Sequence, residues 1–132
     1  MLNITKTIEY SLIAIRHIND KGTNKLCTSK EISEFYNIPK ELLAKTMQKL
    51  CKKGYLKTKK GPHGGYYINT NLNDISLINL IEDIEGPVAL IECVSNLNCT
   101  INDTCNIKSP LKKINNNIRK VLSDITLYDL TT

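Results

Sequence analysis

The apolar residues at the start of the chain recur every three or four positions, as they do on one face of a helix. The repeat consists of Ile8, Leu12, Ile15 and Ile18. Asp20-Lys21-Gly22 follows it, and a glycine soon after the last apolar residue is a common helix stop. The pattern predicts an amphipathic first helix that ends near residue 22.

Two further short helices are predicted, with a tight turn at Asn37-Ile38 between them. Thr28 to Glu31 is a capping-box pattern, in which each side chain bonds the backbone of the other residue. Pro39 suits the first position of the next helix, since its missing N–H would have no partner there, and Gly54 is the expected stop. The residues expected to be buried are Ile32, Phe35, Leu42, Leu43, Met47 and Leu50. Two short helices of this kind, the second rich in lysine, are typical of a helix-turn-helix.

The next segment predicts a β-hairpin with a glycine-rich tip. Residues 55–59 alternate weakly, Gly61-Pro62-His63-Gly64-Gly65 is a turn sequence, and Tyr66-Tyr67-Ile68 returns as a second strand. Behind a helix-turn-helix, such a hairpin is the wing of a winged helix. Glycines at its tip allow a close approach to another backbone.

The second half of the chain predicts a fourth helix, a cysteine-bearing loop and a long final helix. The fourth helix is expected to be capped by Asp74 or Ser76 and stopped by Gly86-Pro87. Apolar residues of the final helix are separated alternately by four and three, which is a seam for packing against another helix. The seam consists of Ile107, Leu111, Ile114, Ile118, Val121 and Ile125. Little chain remains to cover it, so a homodimer is favoured over packing within the domain.

The predicted fold is therefore mainly α with a small β-hairpin. A winged helix-turn-helix DNA-binding domain occupies residues 1–72. Residues 73–132 contain the connecting helix, a cysteine loop at 92–106 and a long C-terminal dimerisation helix at 107–127.

Charge is distributed unevenly along the chain, whose net charge is +5. Residues 40–60 hold eight lysines against one acid, whereas residues 71–105 hold six acids and no lysine or arginine. A lysine-rich segment that coincides with a helix-turn-helix indicates double-stranded DNA, an operator, as the partner. No apolar run approaches the roughly 20 residues of a membrane span, and the N-terminus lacks a signal-peptide pattern. We expect a cytoplasmic protein with no membrane partner.

Three of the five cysteines, Cys93, Cys99 and Cys105, are equally spaced in the predicted loop. In a reducing compartment, clustered cysteines more often bind metal or do redox work than form structural disulfides. Thiolates are the usual protein ligands of iron–sulfur clusters, and a loop lets several converge on one cluster. Cys27 and Cys51 lie outside this loop and are interpreted as packing thiols, and His17 is interpreted as structural.

The cysteine spacing leaves two other kinds of site open. Zinc is held by three thiolates plus one oxygen or nitrogen ligand in many proteins. A thiol switch through a Cys93–Cys99 or Cys99–Cys105 disulfide is the second alternative. An enzyme is disfavoured, because the carboxylates of residues 74–92 form the polar face of a helix and not a catalytic pair.

These features together resemble the IscR/NsrR group of winged-helix regulators that bind iron–sulfur clusters. The resemblance covers nearly the whole chain and rests on four motifs. They are Ile4-Thr5-Lys6 with Glu9-Tyr10, Gly61-Pro62-His63-Gly64-Gly65-Tyr66, Glu85-Gly86-Pro87, and the three-cysteine loop. The resemblance implies a dimeric repressor or activator whose cluster, [2Fe–2S] or [4Fe–4S], sets promoter occupancy. The expected signals are cluster status, nitric oxide and redox stress.

The resemblance also implies a fourth cluster ligand. Some similar regulators use a histidine shortly after the third cysteine, but here Cys105 is followed by Asn106-Ile107-Lys108. Others use an acid from the first helix of the partner subunit, and Glu9 stands where that acid falls. A carboxylate is a harder and more easily displaced ligand than a thiolate, which suits a sensor.

The DNA contacts are expected on both helices of the helix-turn-helix and on the wing. Lys40, Glu41 and Lys45 lie near the start of the recognition helix, where side chains reach base edges and phosphates. Thr28 and Ser29 begin the preceding helix, and helix N-termini favour phosphate. The wing contributes Lys59, Lys60, His63 and Gly64, with Lys60 matching the basic wing residue of the family.

The sequence thus predicts a transcription repressor without enzymatic activity. A cluster near the base of the dimerisation helix would bias the spacing of the two recognition helices, which is allosteric linkage. The alternative is a cluster-free winged-helix regulator switched by thiol oxidation or by zinc.

Overall fold

The computed structural model describes residues 4–22, 25–87 and 106–131. The elements within these ranges are α1 (Lys6–Lys21), α2 (Ser29–Tyr36), α3 (Lys40–Lys52), β1 (Leu56–Lys59), β2 (Gly65–Ile68), a 3₁₀ turn (Leu72–Asp74), α4 (Leu77–Glu85), α5 (Lys108–Asp124) and a second 3₁₀ turn (Asp129–Thr131). The prediction of a mainly α fold with a small β-hairpin and a long C-terminal helix is confirmed.

The helix-turn-helix is fixed by local hydrogen bonds. Thr28 Oγ1 caps α2 by accepting from the backbone N–H of Glu31 at 3.0 Å. Asn37 follows with a left-handed φ of 55°, a conformation that asparagine tolerates better than most residues. Ser33 Oγ donates to the carbonyl of Ile38 at 2.6 Å, and the Ile38 N–H donates to the carbonyl of Ser33 at 3.0 Å. The turn between α2 and α3 is therefore closed by two bonds between the same residues.

The predicted wing is a two-stranded antiparallel hairpin. Leu56 pairs with Ile68 and Lys59 with Gly65. A further bridge joins the hairpin to the segment before α2: the Cys27 N–H donates to the Tyr66 carbonyl at 3.1 Å, and the Tyr66 N–H donates to the Cys27 carbonyl at 2.7 Å. The base of the wing is thus hydrogen-bonded to the start of the helix-turn-helix.

The core lies between α1, α3, α4 and the base of the hairpin. Its fully buried large side chains include Ile8, Ile18, Ile32, Leu43, Met47, Leu50, Leu56, Leu80 and Leu127. Burial of each such side chain contributes roughly 1.5–3 kcal/mol to the free energy of folding. α1 supplies three isoleucines to this core, as its period of three and four predicted.

Two apolar residues predicted to be buried are exposed. Phe35 is 72% exposed and Leu42 is 51% exposed, so these two predictions were wrong. On each helix a different residue occupies an inward-facing position, a small polar residue on α2 and another leucine on α3. Ser33 on α2 and Leu43 on α3 occupy those inward positions.

Three details of the helix ends differ from the predictions. Glu31 does not complete the capping box, because its carboxylate bonds Lys21. Pro39 was predicted as the first residue of α3 but is its N-cap, so the helix begins one residue later, at Lys40. Of the two candidate caps for α4, Ser76 is the one used, and its Oγ accepts from the Asn79 N–H at 3.2 Å.

α5 packs along α4, and the chain then returns to the core. Arg119 Nη2 lies 2.6 Å from Glu82 Oε1 on α4. The helix ends at Asp124, three residues before the predicted end, because Thr126 forms an antiparallel bridge with Ser76. Leu127, which follows, is 1% exposed. Among the described residues, no helix has the length and apolarity needed to cross a membrane.

Candidate functional site

The lysine-rich surface predicted to contact DNA is solvent-exposed. Lys40, Glu41 and Lys45 stand exposed on the first half of α3. On the wing, Lys59 at the end of β1 and Lys60 and His63 in the turn are exposed as well. None of these six side chains has a salt bridge among those found between described residues. The cationic groups are therefore available to a polyanion.

Two other residues predicted at this interface have local roles. Thr28 is exposed, but its hydroxyl already caps α2. Ser29, the first residue of α2, is half-buried. Backbone N–H groups at a helix start favour anions in general, so contact of this helix start with phosphate stays a prediction.

The wing tip requires glycine at two positions. A Cβ on Gly64 would lie 2.1 Å from the Lys59 carbonyl oxygen, and a Cβ on Gly65 would lie 2.8 Å from the Cys27 carbonyl oxygen. Both obstacles are backbone atoms, which cannot rotate away. Gly64 thus keeps the turn tight, and Gly65 lets the hairpin approach the segment before α2.

Glu9, the candidate fourth cluster ligand, lies in the first turn of α1. Its side chain is 46% exposed, and Oε2 of its carboxylate lies 3.1 Å from Lys6 Nζ. Thr5, the N-cap of α1, donates from Oγ1 to Glu85 Oε1 at 2.8 Å. This end of α1 is therefore joined to the end of α4, directly before Gly86-Pro87. Cys93, Cys99 and Cys105 lie outside the described residues.

A second group of potential ligands was missed by the sequence analysis. His17 of α1, Cys27 and Glu31 of α2 each offer one ligand atom, and these atoms lie within 4.8 Å of one another. Cys27 is fully buried. Burial, followed by the negative charge of Glu31, raises the pKa of the Cys27 thiol to about 11. The hydrogen bond from Lys21 lowers the pKa of Glu31.

No local pattern in the sequence signals this group. His17 and Cys27 are ten positions apart in the sequence, and Cys27 and Glu31 are four positions apart. Only the packing of α1 beside the start of α2 brings them together. The capping-box pattern predicted that the Glu31 side chain bonds the start of its own helix, whereas it bonds Lys21 of α1.

Comparisons with known proteins agree with this architecture. A family model described as Rrf2, an iron-dependent transcriptional regulator, matches residues 4–132. The HTH-type transcriptional regulator NsrR of Oceanobacillus iheyensis is 30% identical over 131 residues, covering 98% of this chain and 89% of that protein.

Solved structures show the same fold. The global cysteine regulator CymR of B. subtilis is 25% identical, with a TM-score of 0.82 over 99% of this chain and 97% of that one. The IscR protein of T. potens is 24% identical, with a TM-score of 0.73 over 98% of this chain and 85% of that one.

Proposed function

Since the chain belongs to the Rrf2 family of transcriptional regulators, we propose that it is a homodimeric DNA-binding repressor that senses an iron–sulfur cluster. The observation that carries this proposal is the equal spacing of Cys93, Cys99 and Cys105 in a winged-helix chain. The expected signals are cluster status, nitric oxide or redox stress.

The grip on DNA is proposed for α3 and the wing. Exposed cations at the start of α3 would meet bases and phosphates in a major groove, and Lys59 and Lys60 would meet the adjoining backbone. The turn between α2 and α3 and the bridge from Cys27 to Tyr66 support this proposal, because they hold the two helices and the hairpin at fixed relative positions.

The dimer is proposed to form through α5. Ile107, Ile114 and Val121 are seven residues apart, and each is at least half exposed. Leu111 and Ile118, between them, are half-buried. The other described residues therefore leave one stripe of the seam exposed, as a helix that packs against a second copy requires.

Ile114→Glu is expected to convert the dimer to a monomer. A carboxylate at the centre of an apolar interface is desolvated without a partner, which weakens self-association by at least about a hundredfold. Analytical ultracentrifugation measures the change. Lys113→Glu, exposed and outside the seam, is the matched control and should remain dimeric. A dimeric Ile114→Glu protein would contradict the assignment of this interface.

The proposed cluster ligands are three thiolates and one carboxylate. Thiolates of Cys93, Cys99 and Cys105 satisfy three ligand positions. Glu9 of the partner subunit would supply the fourth, and its 46% exposure leaves the carboxylate accessible to a ligand outside its own helix. When bound, the group would supply iron that reacts with nitric oxide or oxidants, most readily at the carboxylate position.

α1 offers a direct route from this ligand to the DNA-binding elements. The helix has 16 residues, about 24 Å at 1.5 Å per residue. Glu9 lies in its first turn, while Lys21 in its last turn bonds Glu31 of α2. Engagement or release of Glu9 would shift a rigid rod whose other end contacts the helix-turn-helix, which is the linkage required for allosteric control.

Anaerobic reconstitution with iron and sulfide tests the cluster. We expect visible absorption and Mössbauer signals in the wild-type chain, their loss when Cys93, Cys99 and Cys105 are replaced by serine, and faster cluster loss in Glu9→Ala. Cys51→Ala, which removes a half-buried thiol outside the loop, should behave as wild type. Absence of iron and sulfide in the reconstituted wild type would refute the cluster, and an unchanged Glu9→Ala spectrum would refute the fourth ligand.

A cluster-free regulator switched by thiol oxidation or zinc is the second candidate. The likeness to CymR of B. subtilis, with a TM-score of 0.82, favours this candidate, because that protein is named as a regulator of cysteine. It predicts DNA affinity that responds to a thiol oxidant or zinc in protein lacking iron and sulfide. The same reconstitution therefore separates the two candidates.

A further inference from the structure

His17, Cys27 and Glu31 provide three different ligand atoms at nearly the spacing of a metal site. Their imidazole nitrogen, sulfur and carboxylate oxygen all lie within 4.8 Å of one another. In a tetrahedral zinc site the ligand atoms lie about 2.0–2.3 Å from the metal, and therefore roughly 3.3–3.8 Å apart. Small side-chain rotations would bring the three atoms into that range.

Two of these atoms are buried without a hydrogen-bond partner among the described residues. They are His17 Nε2 and Glu31 Oε2, and they lie 3.4 Å apart. Buried polar atoms are nearly always paired, because leaving one unsatisfied costs the free energy of its lost hydration. A cation between the two atoms would satisfy both.

The surroundings hold the histidine ring in a suitable orientation. His17 Nδ1 lies 2.9 Å from the hydroxyl of Tyr36, and the two rings meet edge to face with centroids 5.3 Å apart. If Nδ1 donates its proton to Tyr36, Nε2 carries a lone pair directed at Glu31. Metal-bound histidines are usually fixed by a second hydrogen bond of this kind.

The remaining carboxylate oxygen of Glu31 has its own partner. Lys21 Nζ hydrogen-bonds Oε1, so Oε2 is the oxygen left to face the histidine. Lys21 is 35% exposed and can swing into solvent. Without a metal, the ammonium group of Lys21 is the positive charge beside the Glu31 carboxylate. A bound metal ion would add a second positive charge at the other carboxylate oxygen.

We propose that His17, Cys27 and Glu31 form a Zn²⁺ site, separate from the loop cysteines, with water as the fourth ligand. One nitrogen, one sulfur and one oxygen ligand form a mixed set that zinc accepts in tetrahedral geometry. Bound zinc links α1 to the start of α2. It thus fixes the helix-turn-helix against α1 whatever occupies the loop.

Cobalt(II), whose spectrum reports thiolate ligation, tests this site in the chain with Cys93→Ser, Cys99→Ser and Cys105→Ser, which removes the loop thiols. We expect one equivalent of Co²⁺ to bind with a thiolate-to-cobalt charge-transfer band, and Zn²⁺ to displace it. Cys27→Ala should abolish the band. Glu31→Gln, which keeps the side-chain shape, should weaken Zn²⁺ binding at least about tenfold, and Tyr36→Phe about tenfold.

Matched controls separate this site from adventitious binding. Cys51→Ala removes a thiol outside the group, and His63→Ala removes an exposed imidazole outside it. Both variants should keep the wild-type affinity for Zn²⁺ and the wild-type Co²⁺ spectrum. Circular dichroism establishes whether each variant folds. If Cys27→Ala does not fold, the Zn²⁺ affinity of Glu31→Gln decides whether the site exists. A missing thiolate band, or unaltered Zn²⁺ affinity in Glu31→Gln, would overturn the proposal. The outcome is independent of iron in the loop and of DNA binding.

Discussion

The triple variant Lys45→Ala, Lys59→Ala, Lys60→Ala is expected to lose most of its affinity for DNA. All three side chains are exposed on α3 and the wing. Each lysine that neutralises a phosphate releases about 0.9 counterion, so three of them contribute roughly a factor of 500 to affinity at about 0.1 M salt. Fluorescence anisotropy with duplexes selected by the wild-type protein from a random pool measures this loss.

The salt dependence gives the sharper readout. The slope of log affinity against log salt should become less negative by about one for each lysine removed. The control variant Lys112→Ala, Lys113→Ala, Lys120→Ala removes the same charge from exposed positions on α5. It should change the slope little. Equal slopes for both variants would show that net charge, and not this surface, determines binding.

Leu43→Ala is expected to lower the free energy of unfolding by about 2–5 kcal/mol. Leu43 is fully buried in the core beneath α3. Its removal would leave a cavity between α3 and its neighbours, in addition to the lost transfer free energy. Urea denaturation followed by circular dichroism gives the value.

The adjacent leucine supplies a matched control. Leu42→Ala deletes the same atoms from a side chain that is 51% exposed, and we expect a change within about 0.5 kcal/mol. Similar losses for the two variants would mean that α3 is rotated about its axis relative to this structure. The pair therefore tests the orientation of α3 as well as its contribution to stability.

The helices and the wing were predictable because their signals are local. A period of three to four, a capping threonine and a glycine-rich turn each specify an element without reference to the rest of the chain. The choice of buried face was less predictable. Ser11 and Thr46 are buried because their hydroxyls donate to the carbonyls of Thr7 and Leu42 one turn back, at 2.8 and 2.9 Å. A count of apolar residues overlooks such positions.

Phe35 illustrates the opposite error. The sequence offers an aromatic residue at a helical spacing, which usually indicates core. The structure instead places its ring on the surface against Tyr36 and His17, with centroids 4.8 and 5.6 Å away. Aromatic rings pair with one another at some gain in free energy, and the pattern of one helix cannot reveal a ring supplied by another.

The candidate sites differ in the same way. The lysines of residues 40–60 and the three cysteines of residues 93–105 each fall within one short stretch of sequence. The sequence could therefore predict a DNA-binding surface and a metal site from them. The group formed by His17, Cys27 and Glu31 exists only because α1 packs beside α2. Its members looked like three unrelated residues until the fold brought them together.

The return of the chain after α5 bears on how the protein is made. Leu127 completes a core that otherwise consists mainly of residues from the first two thirds of the chain, and the turn at Asp129–Thr131 packs against α1. A ribosome must therefore synthesise the chain as far as this turn before the apolar face of α1 is fully covered. Until then the incomplete core would expose apolar surface of the kind that chaperones bind.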